Sequence, residues 1–173
     1  MAEQKSNVIL CGFMATGKSS VGKRLAAMMG FDFLDMDVAI EAEEGISIPR
    51  IFSSRGEAAF RELESRMVDR VGTRTRCVVA TGGGTIVNPQ NLENLKRCGI
   101  LIALTADIPT IVQRAGSGDD RPMLWEGERT ERIRALMEKR DAAYAQADFQ
   151  IDTSSLTIDD VAQLILKRLG HPE

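Results

Sequence analysis

The sequence predicts an α/β domain in which a parallel sheet is covered by helices on both faces. Three observations predict it. Strand-like and helix-like segments alternate along the whole 173-residue chain. The strand-like runs, such as Val8-Ile9-Leu10-Cys11 and Cys77-Val78-Val79-Ala80, are short and wholly apolar, as strands buried on both sides are. Hydrophobic residues make up 43% and charged residues 27%, a globular balance at a length that suits one domain over residues 1–173.

Each element follows from its own spacing. The first strand, Val8-Ile9-Leu10-Cys11, ends at Gly12. From Gly17 the period changes, and Val21, Leu25, Met28 and Met29 recur as on one face of a helix that stops at Gly30. Residues 31–34 read as a second strand, and 36–54 as one or two short helices broken at Pro49. Phe60, Leu63, Met67 and Val71 mark an amphipathic helix. The third strand, 77–80, runs into Gly82-Gly83-Gly84. A helix from Pro89 carries Leu92 and Leu95, the fourth strand spans 100–104, and a helix follows over 107–115. Residues 116–120 hold no apolar anchor and read as a mobile loop. A long helix is expected over 126–147, a last strand at Phe149 and Ile151, and a final helix opened by Thr157 and Asp160 in capping-box spacing.

Composition narrows the function. A net charge of −3 carries no bulk attraction for nucleic acid, and 5% aromatics offer few stacking surfaces. The single histidine, His171, lies at the C-terminus, so a histidine triad or histidine-ligated metal is not expected. Cys11, Cys77 and Cys98 match no zinc spacing and suit reduced thiols. No apolar run approaches the ~20 residues of a membrane span. Residues 1–6 lack a secretory layout. A cytoplasmic chain without membrane or nucleic-acid partners is expected.

In parallel α/β sheets ligands bind beyond the carboxyl ends of the strands, so the residues that follow each strand are the candidates. The first strand leads into Gly12-Phe13-Met14-Ala15-Thr16-Gly17-Lys18-Ser19, which satisfies every fixed position of G-x-x-x-x-G-K-[ST]. The glycines let the backbone turn so that its N–H groups, with the positive end of the following helix, cradle phosphate oxygens. Lys18 reaches the outer phosphates and Ser19 offers a hydroxyl to Mg2+. Met14, Ala15, Thr16 and Ser20 share the nucleotide-binding loop.

The other strand ends are more open to interpretation. Asp35-Met36-Asp37 follows the second strand, and in an extended chain both carboxylates face one way. They read either as a Mg2+ and acceptor-hydroxyl pair or as helix-capping aspartates. Arg55-Gly56-Glu57 reads as a clamp on a polar anion, with Glu57 bordering the apolar stripe, or as a surface ion pair. The triple glycine reads as a close approach to a ligand or as a plain loop. Arg121 closes the mobile loop, either as a cation over a transferring phosphoryl group or as a solvated residue. Arg114 is a candidate nucleotide contact. Arg140, seven residues after Ile133, falls on the inward face of the long helix with Leu136, Met137 and Tyr144. There it needs a carboxylate or an anionic substrate.

Taken together, residues 8–165 resemble the shikimate kinase family. The phosphate-loop motif, Asp35-x-Asp37, Phe52 through Arg55-Gly56-Glu57 to Phe60-Arg61, the triple glycine, Arg121-Pro122-Met123-Leu124, and Arg140 with Tyr144 carry the resemblance. It implies a P-loop NTPase fold of nucleoside-monophosphate-kinase type, with a five-stranded parallel sheet between helical layers and a lid over about 114–125. It implies ATP-dependent, Mg2+-assisted phosphorylation of the shikimate 3-hydroxyl by a monomer. It assigns Asp37, Arg55, Gly82, Gly83, Gly84 and Arg140 to shikimate, Glu57 to holding Arg55 and the substrate side, Ser19 and Asp35 to Mg2+, and Lys18, Asp37 and Arg121 to catalysis. Ala15-Thr16 departs from the common Gly-Ser at variable positions of the loop. A kinase of another hydroxy acid such as gluconate, or a non-catalytic nucleotide-binding module, are the alternatives.

Overall fold

The computed structural model describes residues 6–115 and 129–170. Five strands form one sheet: β1 (Asn7–Cys11), β2 (Asp32–Asp35), β3 (Cys77–Ala80), β4 (Gly99–Thr105) and β5 (Phe149–Asp152), in spatial order β2-β3-β1-β4-β5. Every pairing is parallel, with Ile9 registered against both Val79 and Leu101. The connections are α1 (Lys18–Met29), α2 (Met36–Glu44), α3 (Ile48–Val71), a 3-10 turn at Thr85–Val87 with α4 (Pro89–Cys98), α5 (Ile108–Ala115) and α6 (Arg129–Tyr144); α7 (Ile158–Arg168) closes the chain.

The two-residue repeat of β1 divides the core. Val8 and Leu10 point to the layer of α1 and α7, where they pack with Val21, Leu25, Val161 and Ile165. Ile9 and Cys11 point the other way, toward Met36, Ile40, Phe60, Leu63, Met67, Leu95 and Ile133. Continuous apolar strands are therefore apolar because each side chain meets a helix on one face or the other. Thr157 and Asp160 form the expected capping box on α7.

Pro49 does not break a helix, as its position in the sequence suggested. It sits in the first turn of α3, where its missing N–H costs nothing, behind the Ser47 cap. The interruption falls instead at Gly56, whose φ of 84° and ψ of 169° kink α3 and turn its second half. Asp35 and Asp37 are likewise not two residues of one extended strand. Asp35 ends β2 and caps α2, accepting from the Asp37 and Val38 N–H groups, while Asp37 already lies in the first helical turn. Among the described residues no helix is long and apolar enough to cross a membrane.

Candidate active site

The central β1 is flanked by β3 and β4, and a cleft of about 580 Å3 opens at the carboxyl ends of the strands. Its walls include Lys18, Ser19, Asp35, Asp37, Arg61, Glu64, the Gly82–Gly84 loop, Arg114 and Arg140.

The phosphate-binding loop forms the inner wall. Gly12 has φ 136°, and a Cβ there would lie 2.1 Å from the Leu104 carbonyl oxygen. Only glycine lets β1 turn so close to β4. Ala15 (φ 59°) and Gly17 (φ 96°) complete the turn. Buried Thr16 donates its hydroxyl to the Phe13 carbonyl at 2.8 Å. Gly17 delivers the chain into α1, whose first N–H groups have no partner within the helix and face the loop. Met14, Ala15, Gly17, Lys18, Ser19 and Ser20 all line the cleft. Lys18 folds back across the loop and donates to the Gly12 and Phe13 carbonyls, at 2.8 Å each. From the far side Arg114 donates to the Ala15 carbonyl (3.4 Å), to Thr153 Oγ1 (2.9 Å) and to the Thr153 carbonyl (2.7 Å), tying the loop to the end of β5.

Ser19 hydrogen-bonds Asp35, which brings a hydroxyl and a carboxylate together at the mouth of the loop. These hard oxygen donors suit Mg2+, which takes one or two protein oxygens and fills its octahedron with water and phosphate. Among the described residues no cluster of three or more His, Cys, Asp or Glu side chains stands ready to cage a metal by itself.

Asp37 lies deeper. Burial, reinforced by the nearby negative charges of Asp35 and Glu64, pushes its pKa up to about 6, against the pull of Lys18. Its Oδ1 is buried and has no hydrogen-bond partner. A buried carboxylate oxygen without a donor is an acceptor held ready for a ligand hydroxyl.

Two guanidinium groups flank the triple glycine. A Cβ on Gly83 would lie 3.0 Å from Arg140 Nη1, and one on Gly84 would lie 2.9 Å from Arg61 Nη1. Arg140 is 6% exposed, lies 5.6 Å from the Phe13 ring centroid and hydrogen-bonds Tyr144. The Tyr144 hydroxyl in turn donates to the Gly83 carbonyl at 2.5 Å. Arg61 is held by buried Glu64 at 2.8 Å and by exposed Glu57 at 3.1 Å. Glu64 also accepts from the Thr85 hydroxyl at 2.6 Å.

The structure gathers Lys18, Asp35, Asp37, the three glycines, Arg114 and Arg140 as expected from the sequence, and separates two others. Arg55 precedes the Gly56 kink, points to the protein surface and pairs there with Glu44 at 2.5 Å. Glu57 is exposed rather than bordering the core, and meets the cleft only through Arg61. The guanidinium that faces the cleft from α3 is Arg61. Arg61, Glu64 and Thr85 were not among the expected site residues. Glu64 was within reach of the inward-face argument applied to Arg140, since it follows Phe60 by four residues on the apolar stripe. Arg121 and the rest of the expected lid beyond Ala115 lie outside the described residues.

A family model described as shikimate kinase matches residues 14–170. A shikimate kinase of Thermodesulfovibrio yellowstonii is 43% identical over 93% of this chain and 93% of its own. The solved structure of shikimate kinase from Acinetobacter baumannii in complex with shikimate superposes with a TM-score of 0.92 at 36% identity, covering 96% of this chain and 94% of that one. A gluconokinase from Sinorhizobium meliloti superposes with a TM-score of 0.65 over 96% of this chain and 92% of its own, and at 15% identity shares the fold alone.

Proposed function

The chain belongs to the shikimate kinase family, and from that premise we propose that its cleft transfers the γ-phosphoryl group of ATP to the 3-hydroxyl of shikimate. One observation carries this reading. Two guanidinium groups, Arg61 and Arg140, meet the two ends of the Gly83-Gly84 backbone in the same cleft as Lys18 and the unpartnered Asp37 oxygen. A small hydroxylated carboxylate satisfies both halves, with its carboxylate toward the arginines and its hydroxyl toward Asp37.

The division of labour follows from position. The phosphate-binding loop and the N-terminus of α1 hold the ATP phosphates. Lys18 exchanges its two carbonyl partners for phosphate oxygens and balances the charge that develops on the transferring group. Ser19 and Asp35, which hydrogen-bond each other at the mouth of the loop, would hold Mg2+, and the metal would neutralise phosphate charge. Asp37 orients the acceptor hydroxyl and takes its proton, and a pKa near 6 leaves it ionised at neutral pH yet basic enough for the task. Arg61, in place of Arg55, and Arg140 grip the carboxylate, for which the planar guanidinium fork is shaped. Arg114 steadies the nucleotide side. Arg121 is the proposed lid cation; it lies outside the described residues.

A single-domain monomer is the working unit of this reading. Cys11 and Cys77 lie buried in the core as thiols, in keeping with the cytoplasmic setting of this reading. Coupled ADP release with shikimate, with gluconate and with no acceptor tests the assignment. Turnover is expected with shikimate alone. Equal turnover with gluconate, or ATP binding without acceptor-dependent turnover, overturns it.

A further inference from the structure

Behind the cleft a chain of hydrogen bonds runs from Thr85 through Glu64 to Arg61, and of the three only Arg61 touches substrate in the reading above. Thr85 is fully buried at the start of the 3-10 turn that follows the triple glycine. Its hydroxyl donates to Glu64 Oε1 at 2.6 Å. The other oxygen of that carboxylate, Oε2, accepts from Arg61 Nη1 at 2.8 Å. Thr85 is itself fixed at both ends of its backbone. Its N–H donates to the Gly82 carbonyl, and its carbonyl accepts from the buried Asn91 side chain at 3.1 Å. Gly82 seals the group, since a Cβ there would come within 2.6 Å of Glu64 Oε1, 3.0 Å of Thr85 Oγ1 and 3.1 Å of Asp37 Oδ1.

A carboxylate has two oxygens and rotates about its terminal bond. With Arg61 as its sole partner the Glu64 carboxylate can turn about its terminal bond, and Arg61, otherwise held by exposed Glu57 at 3.1 Å, follows it. With Thr85 holding Oε1, the carboxylate plane is set and Oε2 points along one line. We propose that Thr85 is a positioning residue for the acceptor substrate: through Glu64 it aims the Arg61 guanidinium at the substrate carboxylate. The inference rests on the shikimate assignment above. It adds a residue that acts through another one. A fully buried hydroxyl is suited to the task, because it is shielded from water and donates to Glu64 Oε1.

The test is steady-state kinetics on the full chain with shikimate and ATP varied in turn. Thr85→Val keeps the shape and removes the donor. It is expected to raise KM for shikimate about tenfold, the scale of one hydrogen bond to a charged group, while KM for ATP and kcat stay within about twofold. Thr85→Ser keeps the donor and is expected to stay near the unmutated values. Thr85→Cys, whose thiol is a weak donor, is expected to fall between and replaces the valine variant if that chain does not fold. In an Arg61→Ala background Thr85→Val is expected to add nothing to KM. The proposal is overturned if the valine and cysteine variants both leave KM for shikimate unchanged. It is overturned too if serine behaves as valine does, if the two KM values rise together, or if the effect persists without Arg61. If the unmutated chain does not turn over shikimate, the functional assignment itself fails, which is a separate result.

Discussion

Arg61 Nη1 lies 2.8 Å from Glu64 Oε2, one helical turn apart on the second half of α3, and the Glu64 side chain is only 1% exposed. A buried carboxylate needs a cation, and a cation at a cleft wall needs a reason to stay there. The pair supplies both. The Gly56 kink makes it possible, because it turns the face carrying Phe60 and Glu64 toward the core and leaves Arg55 on the other side of the bend.

The two arginines of α3 are therefore expected to behave differently. Arg61→Ala removes one of two carboxylate-binding groups and should raise KM for shikimate about 10- to 100-fold, as losing a charged hydrogen bond does. It should also cost stability, about 2 kcal/mol, because Glu64 loses its counter-charge. Arg55→Ala breaks only a surface pair with Glu44 and should change KM less than about twofold. Initial-rate kinetics on both variants decides it. A large KM effect from Arg55 would return that residue to the site.

Gly12 is expected to tolerate no side chain. An added Cβ would sit 2.1 Å from the Leu104 carbonyl, at a φ of 136° that other residues avoid. Either β1 and β4 part or the loop is rebuilt. Gly12→Ala should cost more than about 3 kcal/mol and lose binding of a non-hydrolysable ATP analogue. Thermal unfolding with calorimetric titration measures both. A variant with unchanged melting and binding would show that the loop can make room for a side chain.

How far the sequence reveals this site differs from wall to wall. The phosphate-binding loop is legible because its chemistry is local: two glycines, a lysine and a serine at fixed spacing between a strand and a helix. Arg140 is legible because helical periodicity places it beside Ile133 and Tyr144, where a charge needs an explanation. The third wall is hard to read because a kink decides it. The sequence shows an arginine on each side of Gly56, and only the backbone turn at that residue determines which one enters the cleft. Asp35 and Asp37 show a related effect. Both reach the site, but through a helix start rather than an extended strand, so the residues are right where the local geometry is not. Thr85 is not legible at all, since its role depends on a contact with Glu64 across 21 positions of chain.

Ser19 is expected to govern the demand for metal. Its hydroxyl lies beside the Asp35 carboxylate in the cleft wall, a pair of oxygen donors that suits Mg2+. Ser19→Ala should raise the Mg2+ concentration for half-maximal rate about tenfold, one protein ligand being replaced by water. Because Ser19 is exposed, stability should move by less than about 0.5 kcal/mol. Rates across a Mg2+ series at fixed ATP test it, and an unchanged midpoint removes Ser19 from the metal site.

Asp37 is expected to trade stability for activity, with a sign that pH can reveal. Its folded pKa of about 6 lies above the ordinary 3.8 because burial and the neighbouring Asp35 and Glu64 disfavour the charge. Between those values the folded protein holds a proton that the unfolded chain has released, so the stability contributed by Asp37 falls as pH rises through that window. Above about pH 6 the fold carries the whole penalty, about 3 kcal/mol at roughly 1.4 kcal/mol per pKa unit; below about pH 4 it carries almost none. Asp37→Asn removes the titrating group. It should lower kcat about 10^2- to 10^4-fold by loss of the base, and should make the protein more stable at pH 8 but hardly so at pH 4. Urea unfolding of both proteins at the two pH values measures the difference. An equal gain at both would mean that the carboxylate charge is not its source. In the unmutated enzyme, kcat/KM should rise with pH through about 6 as Asp37 ionises, and the same limb should be absent from the residual activity of the asparagine variant.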